Sequence, residues 1–325
     1  MATTDQLYKR RNQEMKRNML IAALALFIIT SSCVKQKTDK KDFGDRLIRV
    51  VTTTGMIADV VENVGAGRVE VTALLGSGVD PHLYKASEGD VTRLTKADIV
   101  FYNGNHLEGK MTAIFEQMAK RIPTIAVTER IHEHLLLNQS DFEDAYDPHV
   151  WFDVTLWIQI TEEVRDAMIN LDPDNMAIYW FNTEDYLKKL TELQKYVQVH
   201  INVIPLDKRI LITAHDAFNY FGRAYDFVVR GLQGTSTATE AGTGDVQDLA
   251  AYICENKIPA IFVEASVPER NVEALQEAVK ARGFDVSIGG NLFSDSMGDK
   301  GTELGTYIGM VKHNVSTIVS ALSKQ

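Results

Sequence analysis

From Asp172-Pro173 to about Asn202 the chain runs without a glycine or a further proline, and that stretch limits what the molecule can be. Aspartate followed by proline is a helix-start signal, because the proline ring presets the first helical φ and its missing N–H costs nothing there. Met176, Trp180, Leu187, Leu190, Val197 and Ile201 recur at three-and-four spacing, with Lys188, Lys189 and Lys195 off that stripe. A helix of about 29 residues spans ~43 Å at 1.5 Å per residue, the length of a whole domain. Strand-and-helix alternation precedes this stretch and resumes after Pro205, so the helix is expected to connect two lobes.

The first series reads as strands at 47–53, 69–75, 98–102 and 124–127, with helices starting near Met56 and covering 88–96 and 111–121. Asp153 is placed to cap a helix running to about Asn170. The second series reads as strands at 209–213, 226–231, 260–265 and 285–288, with helices at 215–225, 243–256, 269–282 and 301–322. Such alternation predicts α/β lobes with parallel sheets. The expected division is an N-terminal lobe over 46–171, a connecting helix over 172–203 and a C-terminal lobe over 204–325.

The N-terminus differs in kind. Lys9, Arg10, Arg11, Lys16 and Arg17 precede an apolar run from Met19 to Ile29, followed by Thr30-Ser-Ser-Cys33. A run of that length is too short for a membrane span, which needs about 20 residues, and it suits a signal-peptide core. Residues 1–32 are therefore expected to be a removable signal, with a second possible start at Met15. Cys33 after small residues resembles a lipobox, although Thr30 stands where leucine is usual, so acylation of Cys33 is expected. Polar residues 33–45 then form a tether. With Cys33 acylated, Cys254 has no disulfide partner. A formal charge of -10 lacks the basic footprint that nucleic-acid binding needs, so nucleic acid is excluded as a partner, and a monomer is expected.

Four residues carry metal-ligating chemistry at comparable places: His82 in Asp80-Pro-His82, His149 in Asp147-Pro-His149, His215 in Thr213-Ala-His215 and Asp295 in Phe293-Ser-Asp295. Each follows a predicted strand, and in open α/β sheets ligands bind beyond the carboxyl ends of the strands. Neutral imidazoles and one carboxylate suit zinc and accept manganese. Around a dication they leave a charge of about +1, which nearby acids would offset while orienting the rings. Asp80, Asp153, Asp216 and Glu264 are the candidates for that role. Taken one at a time, each histidine reads equally as a satisfied polar residue near a strand end. His132 and His134 read as a solvated turn, and the glycine-rich stretch 231–244 lacks phosphate-loop spacing.

The motifs around these residues, Leu211-Ile-Thr-Ala-His215-Asp-Ala-Phe, Gly231-Leu-Gln-Gly-Thr-Ser-Thr, Ile261-Phe-Val-Glu-Ala-Ser266 and Leu292-Phe-Ser-Asp295-Ser-Met-Gly-Asp, resemble the zinc/manganese solute-binding proteins of bacterial ABC transporters. This is the cluster A-I, TroA-like group, and the similarity runs from about Ile48 to the C-terminus. The resemblance implies a Zn2+ or Mn2+ ion in the cleft, held by His82, His149, His215 and Asp295. It also implies delivery to a membrane permease driven by a cytoplasmic ATPase, and an envelope location on the extracytoplasmic side. Manganese-type members generally carry glutamate where His215 stands, and many zinc-type members carry a long histidine-rich loop where this chain has only 132–147. The alternative is a zinc hydrolase using the same cluster. Such sites keep an open position for water, whereas four ligands here would fill the shell, so no enzymatic activity is expected. Affinity is expected to weaken as pH falls through about 6.5, where free imidazole protonates.

Overall fold

The computed structural model describes residues 43–139 and 145–323. The expected signal at 1–32 and Cys33 lie outside the described residues.

The first lobe carries β1 (Ile48–Thr52), α1 (Gly55–Gly65), β2 (Val69–Ala73), α2 (Glu88–Lys96), β3 (Ile99–Tyr102), α3 (Thr112–Ala119) and β4 (Thr124–Ala126). Its four strands form one sheet in the order β2-β1-β3-β4, every pair parallel. Both faces of this sheet are covered, and the alternation of side chains divides the core accordingly. Val50, Ile99 and Phe101 enter the large central cluster, while Val51 and Val100 enter a smaller one under α2 and α3. Ser87 caps α2 through the Asp90 amide, and the Asp90 carboxylate returns to the Ser87 amide, a reciprocal capping box.

α4 (Val154–Leu171) starts at Asp153, whose side chain accepts from the Thr155 amide at 2.9 Å. A 3-10 turn over Pro173–Asn175 leads into α5 (Met176–Ile201), 26 residues and ~39 Å long. The connecting helix is therefore present, and Leu190, Val197 and Ile201 of the expected stripe are buried, but the inner face of its first turns differs from expectation. Tyr179, Thr183, Tyr186, Leu190, Leu193, Val197 and Ile201 face inward, whereas Met176 and Trp180 are 48% and 42% exposed. Hydrogen bonding explains the change of phase. Tyr179 donates to Asp172 at 2.7 Å and Tyr186 to Asp59 at 2.7 Å, so two tyrosines with buried partners take the inner face.

The second lobe carries β5 (Ile210–His215), α6 (Asn219–Tyr225), β6 (Val228–Gln233), α7 (Thr243–Asn256), β7 (Ala260–Glu264), α8 (Arg270–Ala281), β8 (Ser287–Leu292) and α9 (Tyr307–Leu322). β5 pairs with β6 and β7 with β8, both parallel. β5 runs beside β7, and Leu211 and Phe262 point into the central cluster while Ile212, Ile261 and Val263 point into a third. Three boundaries differ from expectation. β5 extends through His215, because Thr213 and His215 pair with Gly231 and Gln233, so α6 begins only at Asn219. β8 continues to Leu292 through Gly289 and Gly290. A side chain on Gly289 would come within 2.7 Å of the Phe262 ring, and Gly290 has φ +139. α9 starts at Tyr307, capped by Thr306, after a turn over 301–306.

Candidate metal centre

The strands of both lobes run toward one crevice, and each sheet delivers side chains from its carboxyl ends. His82 lies on the loop after β2, His149 immediately precedes the 3-10 turn Val150–Phe152 ahead of α4, His215 is the last residue of β5, and Asp295 sits three past the end of β8. The structure brings all four together. One donor atom from each lies within 4.8 Å of the others, and all four residues are buried. His82 Nε2 is 3.3 Å from His149 Nε2. Asp295 Oδ1 is 3.3 Å from His149 Nε2, and Asp295 Oδ2 is 3.3 Å from His215 Nε2 and 3.6 Å from His82 Nε2.

These distances have a simple geometric meaning. Donors on bonds of about 2.0–2.2 Å at tetrahedral angles stand about 3.3–3.6 Å apart. His215 Nε2 and both Asp295 oxygens are buried with no hydrogen-bond partner among the described residues, an arrangement that costs free energy unless something else satisfies them. Because both carboxylate oxygens face the imidazoles, five donor atoms converge, and the donor set fits a tetrahedral or slightly expanded cation shell.

The surroundings fix two rings firmly. His215 Nδ1 lies 2.6 Å from Glu264 Oε2, and its amide donates to Glu264 Oε1 at 2.9 Å. His149 Nδ1 lies 2.7 Å from Asp147 Oδ1, which also accepts the His149 amide at 2.9 Å. Each carboxylate leaves Nε2 turned toward the crevice. Asp147 was missed by sequence reasoning, although its place two residues before a histidine, across a proline, was the available signal. The other candidates are engaged differently. Asp80 accepts from the His82 amide at 2.8 Å and from the Thr237 hydroxyl at 2.6 Å. Asp153 caps α4 and lies 3.4 Å from Arg223. Asp216 accepts from the Gly231 amide, tying the end of β5 to β6.

Electrostatics follow from this packing. Burial opposes charge on His149, but Asp147 and Asp295 outweigh it and lift the ring to about 9. Burial likewise opposes charge on His215, which Glu264 and Asp295 raise well above the usual imidazole range. Asp295 is held well below the usual carboxylate range, since His215 and His149 outweigh its burial. His82 has no carboxylate on its ring of comparable closeness, and burial pushes it down to about 3.

A family model for the periplasmic component A of a zinc-uptake complex, ZnuA, matches residues 50–321. The chain belongs to that family. It is 50% identical over 277 residues to the zinc-binding protein TroA of Treponema pallidum, covering 85% of this chain and 89% of that one. It is 42% identical over 308 residues to the manganese-binding lipoprotein MntA of Bacillus subtilis, covering 95% and 100%. The solved periplasmic zinc-binding protein TroA from Treponema pallidum superposes with a TM-score of 0.84 at 49% identity, covering 86% of this chain and 100% of that structure. Further relatives are named as substrate-binding lipoproteins of metal or manganese ABC transporters, and the family consists of substrate-binding proteins and not enzymes, so the hydrolase alternative falls away.

Proposed function

We propose that this chain captures a zinc or manganese ion between its lobes and hands it to the permease of an ABC transporter on the extracytoplasmic side of the membrane. His82, His149, His215 and Asp295 hold the ion. The observation that carries this reading is the set of orphaned donors, His215 Nε2 and both Asp295 oxygens, buried at cation-shell spacing from two further imidazoles. The relatives' names supply both ions, one being a zinc-binding protein and another a manganese-binding lipoprotein.

The ion is cargo, so binding must be reversible. Three nitrogens favour zinc over manganese by intrinsic affinity, and which ion is carried depends on supply. The chain acts as a monomer, is cleaved from its signal after residue 32 and is acylated at Cys33, a reading supported by a relative named as a lipoprotein. Among the described residues no helix is long and apolar enough to cross a membrane. The site lies between lobes resting on one continuous connecting helix, so capture and release involve a small rearrangement.

Competitive titration of metal-free protein with zinc and manganese tests the reading. One ion per chain is expected, with zinc the tighter and with binding lost in His215→Ala. Metal-dependent hydrolytic activity, or full affinity without His215, would overturn it.

A further inference from the structure

The described chain begins beside an exposed apolar cluster. Arg68 Nη1 donates to the Gly44 carbonyl at 3.2 Å, and its Nη2 donates to Asp172 Oδ2 at 3.3 Å. One guanidinium therefore links the segment leading into β1 to the residue ahead of α5. Within the first turns of α5, Met176, Ile178, Trp180 and Phe181 are 48%, 39%, 42% and 76% exposed. Scattered exposed apolar residues need no explanation, but four within six consecutive positions do. Trp180 is held in place by Arg165, whose guanidinium lies 3.9 Å from the ring centre.

We infer that this cluster rests on the lipid bilayer to which the chain is anchored. The inference rests on the proposed acylation of Cys33. Cys33 precedes Phe43 by ten residues, which at 3.3–3.6 Å each span at most about 36 Å. The anchor thus keeps the body within roughly its own diameter of the membrane, and the point where the tether meets the body is the point where the aromatic residues protrude. Exposed tryptophan and phenylalanine settle at a bilayer interface, and Arg165, paired with Asp166 at 2.8 Å, serves here to hold the Trp180 ring. The formal charge, -10 for the whole sequence and more negative once the basic residues 1–32 are removed, argues for apolar contact with neutral lipid over attraction to anionic headgroups.

The posture has a direction. Gly44 precedes β1 and Arg68 precedes β2, so this pole lies at the starting ends of the strands, whereas the four clustered residues follow their carboxyl ends. A body resting on this pole turns its crevice away from the bilayer and toward incoming ions. Docking on a permease then requires the body to lift and turn within the reach of its tether.

The chain supplies its own probe. Trp151 and Trp157 are buried, at 1% and 0% exposure, leaving Trp180 as the exposed tryptophan. Full-length acylated protein is reconstituted into phosphatidylcholine vesicles, with and without lipid brominated near the top of the acyl chain. The expected result is several-fold quenching of the Trp180 emission by brominated lipid, absent in Trp180→Phe and weakened in Phe181→Asp, with metal titration unchanged in both variants. Anionic lipid should not strengthen the quenching. Protein that floats with the vesicles while Trp180 stays unquenched and open to iodide would overturn the docking and leave the anchor standing. Protein that does not float would overturn both.

Discussion

The chain uses Asp-Pro-His twice, at 80–82 and at 147–149, and the two copies do different work. In both, the aspartate accepts the amide of its histidine, at 2.8 Å and 2.9 Å. Asp147 then also meets the His149 ring at 2.7 Å. Asp80 instead spends its second oxygen on the Thr237 hydroxyl of the opposite lobe, at 2.6 Å. The segment after His149 is further welded in place, since Trp151 donates to the Ser294 carbonyl at 2.9 Å and Tyr307 donates to the Trp151 carbonyl at 2.7 Å. Asp147 also accepts from Asn219 Nδ2 of the opposite lobe at 3.1 Å, so both copies tie a loop across the crevice and only the Asp147 copy orients its ring as well. Identical tripeptides therefore give one ring held by a carboxylate and one ring without such a partner, on loops that both reach across the crevice.

The largest effect that sharpens this contrast comes from removing a donor. Asp295→Ala should lower zinc affinity by more than ~100-fold, beyond the ~10–100-fold typical of losing a partner that orients a ligand, as read by competitive titration. The contrast itself is tested by the paired variants. Asp147→Asn should fall within that ~10–100-fold range, while Asp80→Asn should cost less than ~10-fold and act mainly on the dissociation rate. Equal losses of equilibrium affinity would erase the distinction between the two copies.

A pH series probes the two carboxylate-held rings, His149 and His215. Burial works against charge on His149, but its carboxylate neighbours lift it to about 9. A group raised above its unfolded value of about 6.5 stabilises the metal-free protein fully below that value, and the contribution is lost as pH rises through about 9. Zinc competes with the same proton, so the added stability on loading should grow over that window. Thermal melts between those limits, with and without zinc, should thus diverge; parallel curves would contradict the assignment. The range lies above the 6.5 anticipated for a free imidazole. Thr237→Val should give the smallest change, a few-fold faster zinc release in stopped-flow measurements with little loss of stability, because it removes one hydrogen bond worth about 1 kcal/mol.

Much of this was legible beforehand because it depends on local signals. Glycine and proline punctuation and the Asp153 cap mark element starts, and four donors after strand ends mark a crevice. What escaped depends on partners distant in sequence. His215 was placed in a helix, yet pairing with Gln233 keeps it in β5. β8 was ended at two glycines, yet Gly289 only makes room for the Phe262 ring and Gly290 for the Thr317 methyl, and the strand continues through both. The first turns of α5 were misphased because hydrophobicity favours Trp180 over Tyr179, while Asp172 and Asp59 give buried hydroxyls their partners; Leu190, Val197 and Ile201 were placed correctly. Asp147 and Asp80 have the same local sequence, and only tertiary context separates their roles.

The inner face of α5 belongs to neither lobe. Tyr186, Leu190, Val197 and Ile201 sit in one apolar cluster with Val50 and Ile99 on one side and Leu211 and Phe262 on the other. Neither half can come apart without stripping the shared helix of half its packing, so heat should undo the molecule in a single calorimetric step. An ion at the crevice then lends its binding free energy to the whole body at once, and its departure loosens the whole.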